Sequence, residues 1–282
     1  MSHITDFVRW HLHLGVHKTA TTHIQQTLVA AKLQAVSVVP LSILRPATQP
    51  VLDHGRFFKG SRFKKSVAQL VGKQTRIVLS EENWLGHAHE GCAFPPYPNA
   101  MRRLKAVKAL NGNKQAFLAV RHPADFAASI YSEAIRHHPD LVSLKEVKAH
   151  WLEGGSPWFE LVGRIGRYFP LRIWRYEDYR DNRHAILCEI TGSQGPFPDI
   201  PDPPSTKRIS HEAVEAIEEA REKGWPLPDV SRLLVDRGRR FEMFTPEERD
   251  WLGKAYERDL CKIEYEMDGV LMRFPSLSSN RR

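Results

Sequence analysis

The chain has 282 residues, of which 41% are hydrophobic and 26% charged, as is typical of a folded globular protein. Its formal net charge of +8 favours anionic ligands, although a basic surface that only maintains solubility has the same signature. No signal peptide or transmembrane segment is visible, and the three cysteines form no CxxC pair. We therefore expect a reduced, cytoplasmic protein with no disulfide framework, no metal site and no stable membrane insertion.

Short apolar segments alternate with amphipathic segments along most of the chain. Strands are predicted at Val8–Leu14, Gln34–Val38, Arg76–Leu79, Ala116–Val120 and Leu171–Trp174. Helices are predicted near 21–31, 63–71, 99–110, 124–136, 144–152, 158–168, 183–191, 211–223 and 246–267. This alternation predicts an α/β fold with a mostly parallel central sheet of about five strands flanked by helices. Ligands of such folds bind beyond the carboxyl ends of the strands.

The part of the chain after residue 195 differs in composition. A proline-rich connector runs from Gly195 to Pro204, and only helical patterns follow it. We expect one domain over residues 1–282, in which residues 206–282 form a helical C-terminal appendage.

The end of the first predicted strand carries the most informative segment, His13 to Thr22. A strand that ends in a tight turn and then opens a helix presents free backbone N–H groups and a positive dipole end to an oxyanion. Lys18 adds a full charge to this turn, and hydroxyl donors follow at Thr19, Thr21 and Thr22. A plain helix turn capped by threonine is the simpler alternative, but it needs fewer of these groups.

This loop is not a Walker A motif. That motif has a glycine directly before its lysine, whereas His17 occupies the position here. The sequence also has no clear apolar strand that ends in an aspartate for magnesium. A nucleotide-dependent kinase of the P-loop type is therefore an alternative that the sequence supports poorly.

A second candidate anion site follows the fourth predicted strand. Arg121 ends that strand, Pro123 suits the first position of a helix, and Ser129 lies two turns further on. A guanidinium and a nearby hydroxyl can hold one phosphate together. Two anion sites at neighbouring strand ends predict one ligand with two separated anionic groups.

Together these segments resemble the cofactor signature of PAPS-dependent sulfotransferases, above all the bacterial and carbohydrate-type branch. PAPS is 3′-phosphoadenosine 5′-phosphosulfate. The resemblance covers about residues 7–191 and rests on four segments, His17-Lys18-Thr19-Ala20-Thr21-Thr22, Ser80-Glu81-Glu82, Arg121-His122-Pro123 with Ser129, and Tyr176-Glu177-Asp178. It implies a P-loop-like three-layer fold. It also implies that the first loop holds the 5′-phosphosulfate, and that Arg121 and Ser129 hold the 3′-phosphate.

The resemblance further implies direct transfer of a sulfuryl group to an acceptor hydroxyl, with release of the bisphosphate PAP. Lys18 would then stabilise the charge that develops on the leaving phosphate. Glu82 is the first candidate for the base, since it aligns with the glutamate of the family's Ser-x-Glu segment, followed by Glu81 and then His17. Either glutamate could instead be the partner of a cation.

Two features are less specific. Ala20 stands where the family often has glycine, so a positive φ at this position would strain the chain. Lys207, Arg208 and Ser210 are candidate nucleotide contacts by resemblance, and a solvated loop with a serine helix cap explains them equally well.

Several segments near the expected acceptor side are also less specific. Residues 86–98 are interpreted as a flexible acceptor-side loop, and Arg136-His137-His138 lies at the end of the Ser129 helix. A basic segment between residues 45 and 65 is interpreted as a partly solvated helix face, with an acidic-sugar groove or a nucleic-acid surface as alternatives.

The sequence leaves the acceptor open among a saccharide, a glycolipid and a small metabolite. We expect no nucleic-acid partner, because no nucleic-acid motif accompanies the basic segment. A homodimer is left open. A non-catalytic protein that binds anions or nucleic acid is a third alternative, but it gives no reason for two anion sites at one sheet edge.

Overall fold

The computed structural model describes residues 8–54, 74–138, 140, 142–201, 208–228, 234–235 and 241–275, with only the backbone at residues 50–54, 208, 234 and 235. Within these residues the chain forms a central parallel sheet with helices on both faces, so the α/β prediction is confirmed. The predicted helix at 63–71 lies outside the described residues.

The central sheet contains five parallel strands in the order β2-β3-β1-β4-β5. They are β1 (Arg9–His13), β2 (Ser37–Val39), β3 (Arg76–Ser80), β4 (Asn113–Val120) and β5 (Leu171–Arg175). The sequence predicted all five, although β2 begins later than expected. Because β1 pairs with both β3 and β4, the segments that follow these three strands leave the same edge side by side.

Ten α-helices surround the sheet in the described part of the chain. They are α1 (Thr21–Ala30), α2 (Leu41–His54), α3 (Ala88–Gly91), α4 (Ala100–Lys108), α5 (Pro123–His137), α6 (Leu144–Gly154), α7 (Trp158–Gly166), α8 (Arg183–Thr191), α9 (His211–Glu222) and α10 (Pro246–Glu266). The sequence missed α2, because Pro46 lies inside it and proline removes an intrahelical hydrogen bond. Burial of Leu44 and Thr48 compensates for that loss.

Alternate residues of the strands face two separate apolar cores. On one face, Val78, Phe117 and Trp174 pack with residues of α1 and α8. On the other face, a larger core contains Leu12 and Leu118 and is covered by the remaining packed helices, including α5 and α7. Strands that are buried on both faces have continuous apolar sequences. The five strands could therefore be located from the sequence.

The C-terminal part is not purely helical, so the expectation for residues 206–282 was wrong in this respect. Two short strands, β6 (Arg208–Ile209) and β7 (Leu234–Val235), pair in antiparallel orientation before α10 begins. The pair is only two residues long on each side, too short for a periodic pattern to reveal it. Helix α10 then packs on α5 and α7. No helix among the described residues has the length and apolarity needed to cross a membrane.

Candidate active site

The loop after β1, residues 14–20, is held between the segments that follow β3 and β4. The Leu14 N–H donates to the Phe117 carbonyl at 2.9 Å, and the Glu81 N–H donates to the His13 carbonyl at 3.3 Å. A side chain at Gly15 would have its Cβ 2.5 Å from Cγ2 of Thr21 and 3.3 Å from the Glu82 backbone. Glycine is therefore required where the loop meets the β3 segment.

The backbone of this loop is strained at two residues. Lys18 has φ 65° and Ala20 has φ 63°, which places both in the left-handed region. A residue with a Cβ in this region carries about 1–2 kcal/mol of strain. Ala20 therefore adopts a backbone conformation that glycine would adopt without strain. Strain of this kind is frequent at ligand-binding segments.

The start of α1 is open to an anion. Its N-cap, Ala20, has no side chain that could accept from the first N–H groups, and the first turn contains no acidic residue. The Thr19 hydroxyl donates to the Val16 carbonyl at 2.6 Å, and the Thr21 hydroxyl donates to Glu82 Oε2 at 3.0 Å. Only Thr22 of the three threonines is exposed, so the loop offers an anion mainly backbone N–H groups.

Arg121 links the second candidate anion site to the first loop. Its Nη1 donates to the Lys18 carbonyl at 2.7 Å, and its guanidinium lies over the Tyr176 ring at 4.6 Å. Trp158 Nε1 donates to the Arg121 carbonyl at 2.7 Å. Arg121 is buried by these contacts, and Ser129 is half-buried on α5. The structure therefore brings Lys18 and Arg121 together, although 103 residues separate them in sequence.

The segment after β5 supports this second site. Glu177 accepts from the His122 N–H at 2.8 Å and from the Tyr256 hydroxyl at 3.1 Å. In the first turn of α5, Asp125 forms two hydrogen bonds with Arg249 of α10, at 2.6 and 3.0 Å. The start of α5 is therefore fixed to both β5 and α10.

The two glutamates after β3 have different environments. Glu81 is fully buried and accepts from Arg45 Nη2 at 2.9 Å and Nε at 3.2 Å. Glu81 also accepts from the Asn83 N–H at 3.1 Å, which begins the short 3₁₀ turn Glu82–Trp84. Glu82 is 27% exposed and lies 3.6 Å from Arg45 Nη2. Glu81 is thus committed to an internal ion pair, while Glu82 faces the first loop.

Replacing Arg45 with alanine should destabilise the protein, because it leaves the buried Glu81 carboxylate without its counter-charge. Removing one partner of a fully buried pair costs about 3–5 kcal/mol, and we expect about 2–3 kcal/mol here because Arg45 is 38% exposed. Urea unfolding of Arg45→Ala measures this loss. Adding Glu81→Gln should recover part of it, and a double variant no more stable than Arg45→Ala would contradict the assignment.

His17 is a poor candidate for a base in this arrangement. Asn83 Oδ1 can only accept, so His17 Nε2 carries the proton of their 3.2 Å hydrogen bond, and Nδ1 accepts from the Tyr97 hydroxyl at 3.1 Å. Burial lowers the pKa of His17. Burial also raises the pKa of Tyr97 well above its usual value, so this phenol stays protonated. His17 is therefore neutral, with both ring nitrogens engaged.

The remaining predicted site residues lie further along the chain. Lys207 is outside the described residues, and only the backbone of Arg208 is described. The Ser210 hydroxyl accepts from the Ala213 N–H at 3.2 Å and caps α9, as the simpler interpretation had it. In the basic segment between residues 45 and 65, Arg45 forms the ion pair with Glu81. The side chains of the charged residues that follow Arg45 in this segment are not described.

Residues 86–98 form a packed structure rather than the free loop we expected. His87 and Glu90 form a capping box on α3, Glu90 pairs with Arg103 at 2.5 Å, and Tyr97 is fully buried. His89 stacks on His87 and contacts the His138 ring edge-on at 5.0 Å between centroids. Within the described ranges, no group of three His, Cys, Asp or Glu side chains is arranged to hold a metal ion.

Sequence reasoning missed three residues that contact the first loop. Asn83 and Tyr97 hold His17, and Glu133 Oε2 lies 3.4 Å from Lys18 Nζ. Glu133 follows Ser129 by four residues on α5, and this spacing was a signal that the two share one helix face. Tyr97 has no comparable local signal.

Among solved structures, a sulfotransferase from Alicyclobacillus acidocaldarius is similar to this chain, with 15% sequence identity and a TM-score of 0.49. The alignment covers 92% of this chain and 95% of that one. No family model and no curated protein matches the sequence.

Proposed function

We propose that this protein is a PAPS-dependent sulfotransferase, which transfers a sulfuryl group to a hydroxyl of a carbohydrate, a glycolipid or a small metabolite. One observation carries the proposal. The Lys18 loop is hydrogen-bonded to Arg121 on one side and, through Thr21, to Glu82 on the other. The cations Lys18 and Arg121 and the carboxylate of Glu82 therefore lie at one sheet edge. A donor with two anionic groups and an acceptor hydroxyl require groups of these kinds.

The residues fit the phosphosulfate end of such a donor. The open start of α1 supplies backbone N–H groups, and Lys18 stands beside it at 30% side-chain exposure. They also fit the 3′-phosphate, since Arg121 is aligned by Tyr176 and Trp158, and Ser129 lies on the adjoining helix.

In this proposal, bound PAPS supplies the activated sulfuryl group. Glu82 takes the proton of the acceptor hydroxyl while the acceptor oxygen bonds to sulfur and the bond from sulfur to the phosphate oxygen breaks. Lys18 stabilises the negative charge that collects on that phosphate oxygen. A sulfuryl group carries less negative charge than a phosphoryl group, so the proposal includes no metal ion. Glu82 is preferred over Glu81 and His17 because its side chain is 27% exposed, whereas those two side chains are buried and engaged in internal contacts.

The acceptor side is assigned to residues 86–98 and the end of α5. The contact between His89 and His138 brings these two segments together. We further propose a cytoplasmic protein without a nucleic-acid partner or membrane insertion, and the free thiols Cys92, Cys188 and Cys261 support the reducing compartment.

The donor is tested with immobilised adenosine 3′,5′-bisphosphate. We expect the protein to be retained and ATP to compete poorly. Equal competition by ATP would favour the kinase, and loss of retention would favour a protein that binds other anions. Transfer of labelled sulfuryl from PAPS across a panel of hydroxylated acceptors then identifies the substrate class.

Replacing Arg121 with alanine should show which of the two phosphates of the ligand Arg121 binds. Hydrogen bonds to charged groups contribute about 1.5–3 kcal/mol, so affinity for adenosine 3′,5′-bisphosphate should fall about 10- to 100-fold. Affinity for 5′-AMP, which lacks the 3′-phosphate, should fall less, because for this ligand the variant loses only the support that Arg121 gives to the Lys18 carbonyl. Arg121→Lys should recover part of the loss. Titration calorimetry measures each value, and an equal loss for both nucleotides would contradict the assignment to the 3′-phosphate.

A further inference from the structure

Glu133 lies on the face of α5 that passes the first loop. Asp125, Ser129 and Glu133 follow one another at intervals of four residues, so they line one side of this helix. With a rise of about 1.5 Å per residue, Glu133 stands about 6 Å along the axis from Ser129. The helix that carries Ser129, the candidate contact of the 3′-phosphate, therefore also places the Glu133 carboxylate beside Lys18.

The contact between Glu133 and Lys18 is a half-buried ion pair. Lys18 Nζ lies 3.4 Å from Glu133 Oε2, and the two side chains are 30% and 24% exposed. Burial alone would raise the pKa of Glu133, but the charges of Lys18 and Arg136 lower it below its usual value. Glu133 is thus ionised at neutral pH and presents a full negative charge to the ammonium.

Glu133 is also held from its other side. Arg136 Nη1 lies 3.3 Å from Oε2, and His137 Nε2 lies 3.4 Å from Oε1. When Lys18 turns to another anion, Glu133 keeps these neighbours and is not left as an isolated charge. Lys18 can therefore leave Glu133 for a ligand anion without leaving the Glu133 carboxylate unpaired.

We propose that Glu133 is a positioning residue, which holds Lys18 in the ligand-free protein and competes with the donor phosphate for its ammonium. This inference rests on the proposed function for the identity of the ligand. The main chain of Lys18 is fixed by Arg121, so the partner at the end of the side chain decides where the ammonium lies. Only a ligand that brings a negative charge to the Lys18 ammonium displaces Glu133. The site therefore discriminates against neutral nucleosides.

The position of Lys18 is tested first, without any nucleotide. In Glu133→Gln we expect a lower ¹⁵N order parameter for the Lys18 ammonium by NMR relaxation. The matched control is the pair of Lys148 and Glu248, which are 30% and 26% exposed at 2.8 Å and lie away from the loop. Glu248→Gln keeps the helix cap and should loosen Lys148 alone. An unchanged Lys18 order parameter in Glu133→Gln would overturn the inference.

Competition is tested next by binding of adenosine 3′,5′-bisphosphate. Glu133→Gln should tighten binding about 3- to 10-fold at low salt, and the gain should shrink at high salt because the pair is partly exposed. In a Lys18→Ala background the gain should disappear, since Glu133 acts through Lys18. A gain that persists there, or no gain at all, would overturn the inference. Failure of the unaltered protein to bind the bisphosphate would instead reject the proposed function, while the NMR result still decides the role of Glu133.

Discussion

Replacing Lys18 with alanine is expected to lower kcat about 100- to 1,000-fold, the loss typical of removing one preorganised group that stabilises developing charge. Affinity for adenosine 3′,5′-bisphosphate should weaken far less, because the open start of α1 and Arg121 still hold the ligand. A residue that acts mainly in the transition state lowers kcat more than it weakens product binding. Steady-state kinetics at saturating PAPS and calorimetry with the bisphosphate measure the two effects.

The control for this variant is Lys148→Ala. Lys148 is as exposed as Lys18 and also pairs with a glutamate, but it lies on α6 and its partner Glu248 lies on α10. Its loss should leave kcat within about twofold, as expected of a surface ion pair. If Lys18→Ala weakens bisphosphate binding as much as it lowers kcat, Lys18 only anchors the ligand.

Replacing Glu82 with glutamine should lower kcat about 100- to 10,000-fold at saturating PAPS, since a positioned base contributes about that much to a proton transfer. Glutamine keeps the shape of the side chain and can still accept from the Thr21 hydroxyl, so the first loop should keep its structure. The affinity for PAPS should therefore change little. Turnover with the best acceptor of the panel, together with donor binding, measures this prediction.

Glu81→Gln is the informative comparison. It removes the neighbouring carboxylate but leaves Glu82 in place, and its main effect should be on stability through the Arg45 ion pair. Equal losses of kcat in the two variants, at equal folded fractions, would show that the base is not Glu82. Glu82→Asp should keep part of the activity if a carboxylate at this position takes the proton.

The sequence located the strands well, and it singled out two loops that the structure places side by side. Apolar runs such as Ala116–Val120 and the alternation of strands with helices are local patterns, and burial on both faces of the sheet makes them strong. The Lys18 loop and the Arg121 turn were visible because helix starts and strand ends have their own residue preferences. The sequence placed α5 within one residue at each end. It missed α2, because prolines are unfavourable inside a helix and the tertiary contacts that stabilise this helix are not visible in the local sequence.

The sequence also ranked three candidate bases, and only the tertiary structure distinguishes them. Glu81 and Glu82 are adjacent and chemically identical, yet Arg45 of α2 engages the first and Thr21 of α1 contacts the second. The environment of His17 depends on Tyr97, 80 residues away. These differences arise from burial and from partners that no local pattern identifies.

By itself, the sequence determined to within one residue where the strands of a parallel sheet end, because hydrophobic periodicity and turn chemistry act over a few neighbouring residues. The tertiary structure decided which of them meet. Strand order places β1 between β3 and β4, and this order joins Lys18 to Arg121 and to Glu133 across 103 and 115 residues. The positive φ of Ala20 likewise appears only in the tertiary structure, because alanine has no local preference for the left-handed region.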